Sequence, residues 1–377
     1  MPVAYSFGLE LPEISGVWAG FYRKEDNTFG TNPEASGTQS VDKRRVNYLS
    51  AVYPFNLWGH NMVISANYQN LYDFTREWEF PLVLIGDDSV SRNVDYEQEG
   101  SLSAIGMAYC VEVTPRISVG FTLNFWEDGL YENEWEQTTR SEWKQAARED
   151  GSSAQGSNLP SYTSTLNEHY SFTGFNVNVG ILWHATSKLT LGAVYKTPFK
   201  ADLKHQIRLI SSLDEKPQSC SESQELDMPV SYGVGLAYRF SDQFTISTDF
   251  YRTRWDKFYF TDANGNKTSP ITGRLLSESD IDPTYQIRVG AEYLFINPKY
   301  IIPLRGGVFY DPAPAQGSPD DYFGFSLGSG IALGNVTLDI AYQYRFGNDV
   351  GTSILSNMDF SEDVEEHIVY SSVIIYF

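Results

Sequence analysis

The chain has 377 residues and a net charge of −21, which excludes nucleic acid as a partner because no basic face is available for phosphates. Aromatic residues make up 15% of the chain, yet no run of about 18 apolar residues occurs, which excludes transmembrane helices. The mean hydropathy of −0.33 and the many aromatic residues together favour a β-barrel, in which only every second residue faces lipid.

The amino-terminal segment carries no secretory signal, since Met1 to Tyr5 contains neither a basic region nor an apolar run. A barrel of the bacterial outer membrane requires such a signal, so we expect the amino terminus to be processed, trimmed or incomplete. The first two strands are predicted near residues 14–24 and 45–54. The centre of the third strand is unusually polar, with Asn67, Gln69 and Asn70. This pattern either indicates disturbed strand pairing at these residues or is ordinary variation within a strand.

Further along the chain, large apolar residues alternate with small or polar ones. In the segment Val336–Phe346, Ile340 lies on the apolar face, whereas Asp339 and Arg345 lie on the other face. A shift of one residue would move Arg345 into lipid at a cost of about 2–4 kcal/mol near the bilayer midplane. The same alternation predicts strands at 117–125, 175–183, 230–240, 244–250 and 285–295. It also occurs in the last strand, which ends on Phe377.

The connections between predicted strands alternate between short and long, as in transmembrane barrels. The short ones contain turn residues and lie at 114–116, 186–188, 241–243, 297–299 and 334–335. The long ones lie at roughly 128–169, 211–227, 260–281 and 347–365. Within the longest, the composition of residues 134–150 favours a short helix. The count predicts an all-β fold, an antiparallel transmembrane barrel of about 14 strands that spans residues 13–377.

The sequence contains no recognisable catalytic motif. A nucleophile elbow, a zinc-binding His-Glu-x-x-His and a phosphate-binding glycine loop are all absent, and the five histidines are scattered. Acidic clusters at 87–88, 320–321 and 362–366 could hold calcium but are more typical of solvated faces. We therefore expect no enzyme activity, no catalytic residue, no cofactor and no metal.

The middle and end of the chain resemble the outer-membrane transporters for long-chain fatty acids and aromatic hydrocarbons. Met228–Phe240 is followed by a short turn, a second strand and Trp255-Asp-Lys-Phe258, an arrangement similar to one in that family. Asp282–Tyr293, Pro303–Pro314 and Pro319–Tyr322 continue the resemblance in matching order and spacing. It is fainter over residues 45–210 and is lost before residue 45.

The resemblance implies a monomeric barrel of about 14 strands in the outer membrane, in contact with its lipids. It further implies an amino-terminal plug, here short or missing, of which residues 1–12 would be a remnant. Substrate would be captured in an apolar groove and would leave sideways through a gap at a kinked third strand. Asn67, Gln69 and Asn70 are the candidates for this lateral gate.

Charged residues on the predicted inner face are the remaining candidates for a site. One interpretation is that these charges form ion pairs that brace the wall. The other is that one or two of the arginines, Arg288, Arg305 and Arg345, attract the carboxylate of a substrate. Tyr251, Phe309 and Tyr322 share that face and would supply an apolar lining. The predicted function is passive uptake of a hydrophobic small molecule. The alternatives are a general diffusion porin for polar solutes and, less favoured, a barrel phospholipid hydrolase.

Overall fold

A computed structural model describes residues 11–84, 90–127, 133–145 and 161–377 of the chain. Within these residues, alternating sequences form one antiparallel sheet of twenty strands. The first ten are β1 (Glu13–Phe29), β2 (Gly37–Leu57), β3 (His60–Asp73), β4 (Arg76–Leu84), β5 (Val90–Thr114), β6 (Ile117–Trp126), β7 (Glu134–Gln145), β8 (Ser161–His184), β9 (Leu189–Lys196) and β10 (Phe199–Ser211). The others are β11 (Gln218–Met228), β12 (Ser231–Arg239), β13 (Phe244–Thr253), β14 (Tyr259–Thr261), β15 (Lys267–Thr268), β16 (Thr284–Asn297), β17 (Tyr300–Tyr310), β18 (Phe323–Leu333), β19 (Val336–Val350) and β20 (Phe360–Tyr376).

The strands close into a barrel because β1 pairs with β2 on one edge and with β20 on the other. The closing ladder runs from Glu13 opposite Tyr376 to Phe29 opposite Phe360. Five of the staves, the units that make up the wall, each consist of two successive strands: β3 with β4, β6 with β7, β9 with β10, β11 with β12, and β13 with β14. The two-residue β15 pairs only with β14 and is not a stave, which leaves 14. The predicted barrel of 14 strands is thereby confirmed.

The two faces of the wall differ as the alternation predicts. On the outer face Ile340, Val289 and Leu236 are 58%, 44% and 40% exposed, so they do not meet in a shared dry core. The inner face carries small residues where a neighbouring strand sends a side chain inward. A Cβ at Gly324 would collide with the ring of Phe309, and one at Gly235 would collide with the carboxylate of Asp249. The glycines therefore make room for the lumenal side chains.

The barrel has a short-turn rim and a long-loop rim. Turns of a few residues join β2 to β3, β5 to β6, β8 to β9, β12 to β13, β16 to β17 and β18 to β19 at the first rim. In the turn between β2 and β3, Trp58 and Gly59 both have positive φ, 52° and 80°. That combination defines the primed turns, whose twist matches the flanking strands of a two-residue hairpin.

Several staves are interrupted near the long-loop rim, at comparable heights. Pro198 and Pro229 stand at two of these interruptions, where proline cannot donate a hydrogen bond to the ladder. Between β6 and β7, the buried side chain of Asn133 fills the interruption by accepting a hydrogen bond from the backbone N–H of Ser103 at 2.6 Å. Except for β4, the strands continue beyond these points as an extension of the wall.

The predicted helix within 134–150 is wrong over its described part, which forms β7 instead. The segment pairs with β5 on one side and β8 on the other, and this ladder outweighs a helix-favouring composition. The predicted long connection at 211–227 is also shorter than expected, because β11 occupies most of it. Among the described residues, helical structure is limited to four 3-10 turns, and none of these is long and apolar enough to cross a bilayer.

Candidate functional site: an apolar lumen and an unpaired edge in the wall

The inner face of the barrel near the long-loop rim carries a buried apolar cluster, here the upper-lumen cluster. Its residues come from six strands and are Leu102, Ala104, Trp126, Trp135, Phe172, Ala201, Leu203, Leu226 and Met228. Phe172 is fully buried, with its ring 5.8 Å from that of Trp126. Phe199 stacks on Trp126 at 5.9 Å, lies 6.4 Å from Phe172 and is only half-buried. The inner face of these neighbouring strands is therefore lined by hydrocarbon and aromatic surface.

A row of stacked rings borders this cluster on the side of the long loops. Phe74 lies 4.9 Å from Trp135, Trp135 lies 4.6 Å from Tyr170, and Tyr170 lies 4.1 Å from His205, measured between ring centroids. The carboxylate of Glu168 accepts a hydrogen bond from the Tyr170 hydroxyl at 3.2 Å and lies 3.0 Å from His205 Nε2. Burial and the nearby Glu168 carboxylate raise the pKa of Tyr170, so its hydroxyl stays a neutral donor.

Opposite the upper-lumen cluster lies a buried group of charges, here the seam network, at the junction of β1 and β20. Its members are Arg23, Glu25, Arg76, Arg345, Glu362 and Glu366. Arg76 Nη2 lies 3.1 Å from Glu25 and 3.2 Å from Glu362, whose exposed fractions are 4% and 2%. The outward neighbours at this height are the ion-paired Lys24 and Asp26, so the network lies beyond the apolar band of the wall.

Burial affects the two central carboxyls of the seam network differently. Burial opposes ionisation of Glu25, but Arg76, Arg23 and the Trp78 indole outweigh it and lower the pKa of Glu25 below its usual value. For Glu362, burial outweighs the same arginines and raises the pKa. Glu25 is therefore the ionised anchor of the network at neutral pH.

The hairpin of β4 and β5 is held over the lumen by this network and by a second apolar cluster. Trp78, Phe80 and Leu82 of β4 pack against Phe29 of β1 and Phe360 of β20. The ring of Phe29 lies 4.8 Å from Phe80 and 5.0 Å from Phe360. The inner face of β4 thus contacts the closing seam of the barrel instead of continuing the wall.

As a consequence, the wall has an unpaired edge between β2 and β3, here the β2–β3 gap. The ladder runs from Leu57 opposite His60 to Tyr48 opposite Gln69 and then stops, although β2 continues to Gly37. Among the described residues, side chains bridge the two edges above this point. Arg45 forms an ion pair with Asp73, Lys43 forms one with Glu99, and Gln39 Nε2 donates to the carbonyl of Glu79 at 3.0 Å.

The candidate gate residues lie at the lower end of this gap. The ladder is unbroken through Asn67 and Gln69, which face Ser50 and Tyr48 of β2. The pairing of β3 with β5 shifts register only between Asn70 and Tyr72. Asn70 Nδ2 donates to Ser101 at 3.0 Å, while its Oδ1 is buried without a partner. The disturbance therefore begins at Asn70, at the edge of the predicted segment and not at its centre.

Two of the three predicted arginines are engaged by carboxylates. Arg305 lies 2.7 Å from both Glu292 and Asp339, and it braces β16, β17 and β19. Arg345 lies 2.9 Å from Glu366, and its guanidinium stacks over Tyr322 at 3.7 Å. Tyr322 is 5% exposed, so it packs under Arg345 and does not line an open cavity.

Arg288 is the exception, because it forms no ion pair with any described residue and is exposed to the lumen. It stands opposite Asp249 of β13 and Phe309 of β17 in the ladders. Tyr251 lies on the same inner face one pair further along, opposite Gln286, and its hydroxyl is buried without a partner. The ladders thus place Arg288, Phe309 and Tyr251 on adjacent strands, with the ring of Phe309 over Gly324 of β18 and that of Tyr251 over Gly233 of β12.

The seam network was not predicted from the sequence as a group, and the gap expected at the third strand was placed at Asn67, Gln69 and Asn70, whereas the β2–β3 ladder ends at Tyr48 opposite Gln69. Arg23 and Glu25 lie at the end of the first predicted strand, and no strand was predicted around Arg76, so their inward direction was not assigned. The available signal was the spacing of Arg23 and Glu25, which places both on one face of β1. The acidic residues 87–88 lie outside the described residues. In the described part of the chain, no group of three or more His, Cys, Asp or Glu side chains is placed to hold a metal ion.

Comparison with known proteins agrees with this architecture. The sequence model of the family described as "Outer membrane protein transport protein (OMPP1/FadL/TodX)" matches residues 91–369, which is well over half of the chain. The chain belongs to the FadL/TodX family of outer-membrane transport proteins. This is a transport family and not an enzyme family. No protein of curated function matches the sequence.

Solved structures share the fold of this FadL/TodX family member at low sequence identity. A FadL homologue from Pseudomonas aeruginosa matches with a TM-score of 0.60 at 14% identity, covering 97% of this chain and 90% of its own. The toluene transporter TodX from Pseudomonas putida matches with a TM-score of 0.57 at 12% identity, covering 98% of this chain and 90% of its own. At such low sequence identities the similarity shows the barrel fold alone. The substrate of this chain has to be inferred from its own side chains.

Proposed function

We propose that this FadL/TodX family member carries hydrophobic small molecules, such as long-chain fatty acids or aromatic hydrocarbons, passively across the bacterial outer membrane. The observation that carries the proposal is the upper-lumen cluster, a dry aromatic surface on the inside of a barrel whose outside is also apolar. A porin for polar solutes has a polar, water-filled interior along its whole length. Burial of ligand surface, at about 25 cal/mol per Å², drives capture without an energy source.

The route out of the barrel passes sideways through the β2–β3 gap. Apolar surface leads from the cluster to this edge, because Tyr72 lies 6.3 Å from Trp126 and Phe74 packs on Trp135. The ion pair between Arg45 and Asp73 stands across the gap and closes it in the resting state. Because β2 and β3 are not paired above Tyr48, a ligand can leave between them without breaking backbone hydrogen bonds.

Below the cluster, Arg288 provides a positive charge for an anionic headgroup. Its five donors are free for a carboxylate, whereas those of Arg305 and Arg345 are already engaged. Phe309 and Tyr251 supply aromatic surface on the two neighbouring strands, where their rings lie over Gly324 and Gly233. This arrangement favours a fatty acid over an uncharged hydrocarbon at the inner site.

Two measurements test this proposal. A fluorescent fatty acid should bind the purified protein in detergent, and unlabelled fatty acids or aromatic hydrocarbons should displace it. Binding of neither class would contradict the proposed function. Recordings in planar bilayers should show only small currents, because the aromatic rings of the upper-lumen cluster occupy the path. A large stable open current would favour the porin alternative.

A further inference from the structure

The outer face of the wall carries a cation at a position where the surrounding residues are apolar or aromatic. Arg252 lies on the same face of β13 as Phe250, which is 40% exposed among the lipid-facing residues. In the ladders, Arg252 stands opposite Tyr232 of β12 and Tyr285 of β16. Both tyrosines are outward, at 37% and 41% exposed, and all three residues lie at the long-loop ends of their strands.

The two tyrosines hold the guanidinium in place. Arg252 Nη1 donates to the hydroxyl of Tyr232 at 3.0 Å, and its guanidinium carbon lies 5.0 Å from the ring centre of Tyr285. Arg252 Nε is buried and has no hydrogen-bond partner, and Arg252 forms no ion pair with any described residue. A fixed guanidinium with unused donors is pre-organised for an anion, since less conformational entropy is lost on binding.

The surroundings add positive charge in an otherwise acidic chain. Arg254 and Lys257 follow within five residues of Arg252. The one acidic residue between them, Asp256, forms ion pairs with both. The Trp255 indole donates to the buried hydroxyl of Thr284 at 2.9 Å, which fixes this segment on the rim. An excess of positive charge beside an exposed aromatic face is complementary to a group that combines an anion with hydrocarbon.

We infer that Arg252, clamped by Tyr232 and Tyr285, binds the phosphate of a membrane lipid in the leaflet at the long-loop rim. Phosphate oxygens would accept from Nη2, since Nε is buried, and acyl chains would lie along Phe250 and the tyrosine rings. An arginine near the edge of the apolar band costs little, and a phosphate partner offsets that cost. This site lies on the outside of the barrel and does not depend on the transport route.

The test uses the thermal unfolding of the full-length barrel in detergent, read from the change in gel mobility on heating. Adding bisphosphorylated lipid A should raise the midpoint of the wild type by about 3 °C, because a ligand that binds only the folded state stabilises it. The Arg252→Gln variant should lose most of this shift. Arg252→Lys, which keeps the charge but not the fork of donors, should retain part of it. The matched control Arg116→Gln, at the short-turn rim, should show the full shift.

Three outcomes would overturn the inference. One is an equal shift in wild type and Arg252→Gln. The second is an equal shift with dephosphorylated lipid A, which would assign the binding to acyl chains alone. The third is the same shift with inorganic phosphate alone, which would assign the site to soluble anions. If Arg252→Gln does not fold, Tyr232→Phe removes the clamping hydroxyl instead, and an unreduced shift in that variant would also contradict the inference.

Discussion

Arg76 on β4 lies 3.2 Å from the carboxylate of Glu362 on β20, although 286 positions separate the two residues in the chain. The contact joins a hairpin that has left the wall to the seam at which the barrel closes. It also explains why the edge of β2 that faces β3 is unpaired above Tyr48, because β4 is drawn to the seam and away from β2. The seam network and the β2–β3 gap are therefore two parts of one arrangement.

The first prediction concerns the stability of the seam network. Glu25→Gln removes the charge of the shared acceptor of Arg23, Arg76 and Trp78 and leaves both buried arginines with only the more distant carboxylates of Glu362 and Glu366. Breaking a buried ion pair in this way costs about 3 kcal/mol. We expect a lower unfolding midpoint in urea, with the barrel still formed. The matched control is Asp26→Asn, whose exposed pair with Lys24 should contribute little.

The same variant has a predictable pH dependence. The folded-state pKa of Glu25 lies below its usual value of 4.5, so its stabilising contribution is present above pH 4.5 and is lost as pH falls through the folded-state pKa. The difference in stability between wild type and Glu25→Gln should therefore be constant from pH 8 to pH 6 and should shrink at lower pH. A difference that grows with acidification would show that the carboxyl has the opposite shift.

The second prediction concerns the ion pair that bridges the β2–β3 gap. Replacing Arg45 by Ala should raise the rate at which fatty acid reaches the lipid phase of proteoliposomes about fivefold, since a pair worth about 1 kcal/mol no longer opposes opening. Exchanging the charges, with Arg45→Asp and Asp73→Arg together, should restore the slower rate. Lys24→Ala, in an outward ion pair on neighbouring β1, serves as the control and should leave the rate unchanged. Equal transfer rates in all variants would contradict a role for the Arg45–Asp73 ion pair in the exit route.

The third prediction tests the upper-lumen cluster as the binding surface. Phe199→Ala removes a half-buried ring that stacks on Trp126, so the affinity for a fluorescent fatty acid should fall about tenfold, or about 1.4 kcal/mol. Phe240→Ala removes a ring of the same size that is 50% exposed on the outer face, and it should leave the affinity unchanged. A loss of affinity in the Phe240 variant alone would place the ligand outside the barrel.

The fourth prediction separates the role of Arg288 from that of Arg305. Arg288→Gln should weaken binding of a fatty acid about tenfold while leaving an aromatic hydrocarbon unaffected, because only the acid carries a carboxylate. Arg305→Gln should instead lower barrel stability, since Glu292 and Asp339 lose their shared partner. Titrations with both ligands, alongside urea unfolding of both variants, distinguish the two roles. If both ligands weakened equally in Arg288→Gln, the arginine would act on the shape of the lumen and not on charge.

Much of the barrel could be predicted because its information is local. The alternation that placed Ile340 outward and Asp339 inward follows from the period of two along a strand, and the structure keeps both directions. Helix-favouring composition misled the prediction for Trp135, because its direction is fixed by ladders with β5 and β8, which lie distant in sequence. The gap at β2 is harder still to predict. It arises because Arg76 pairs with Glu25 and Glu362, and no pattern within β2 records this.

Photoaffinity labelling tests the central claim most directly. A fatty acid with a photoreactive group on its acyl chain, activated in proteoliposomes and mapped by mass spectrometry, should label Tyr72, Phe74 and Phe199. These residues follow the apolar inner surface from the upper-lumen cluster to the β2–β3 gap. Labels confined to outward residues such as Phe240, Ile340 and Leu327 would contradict a route through the lumen.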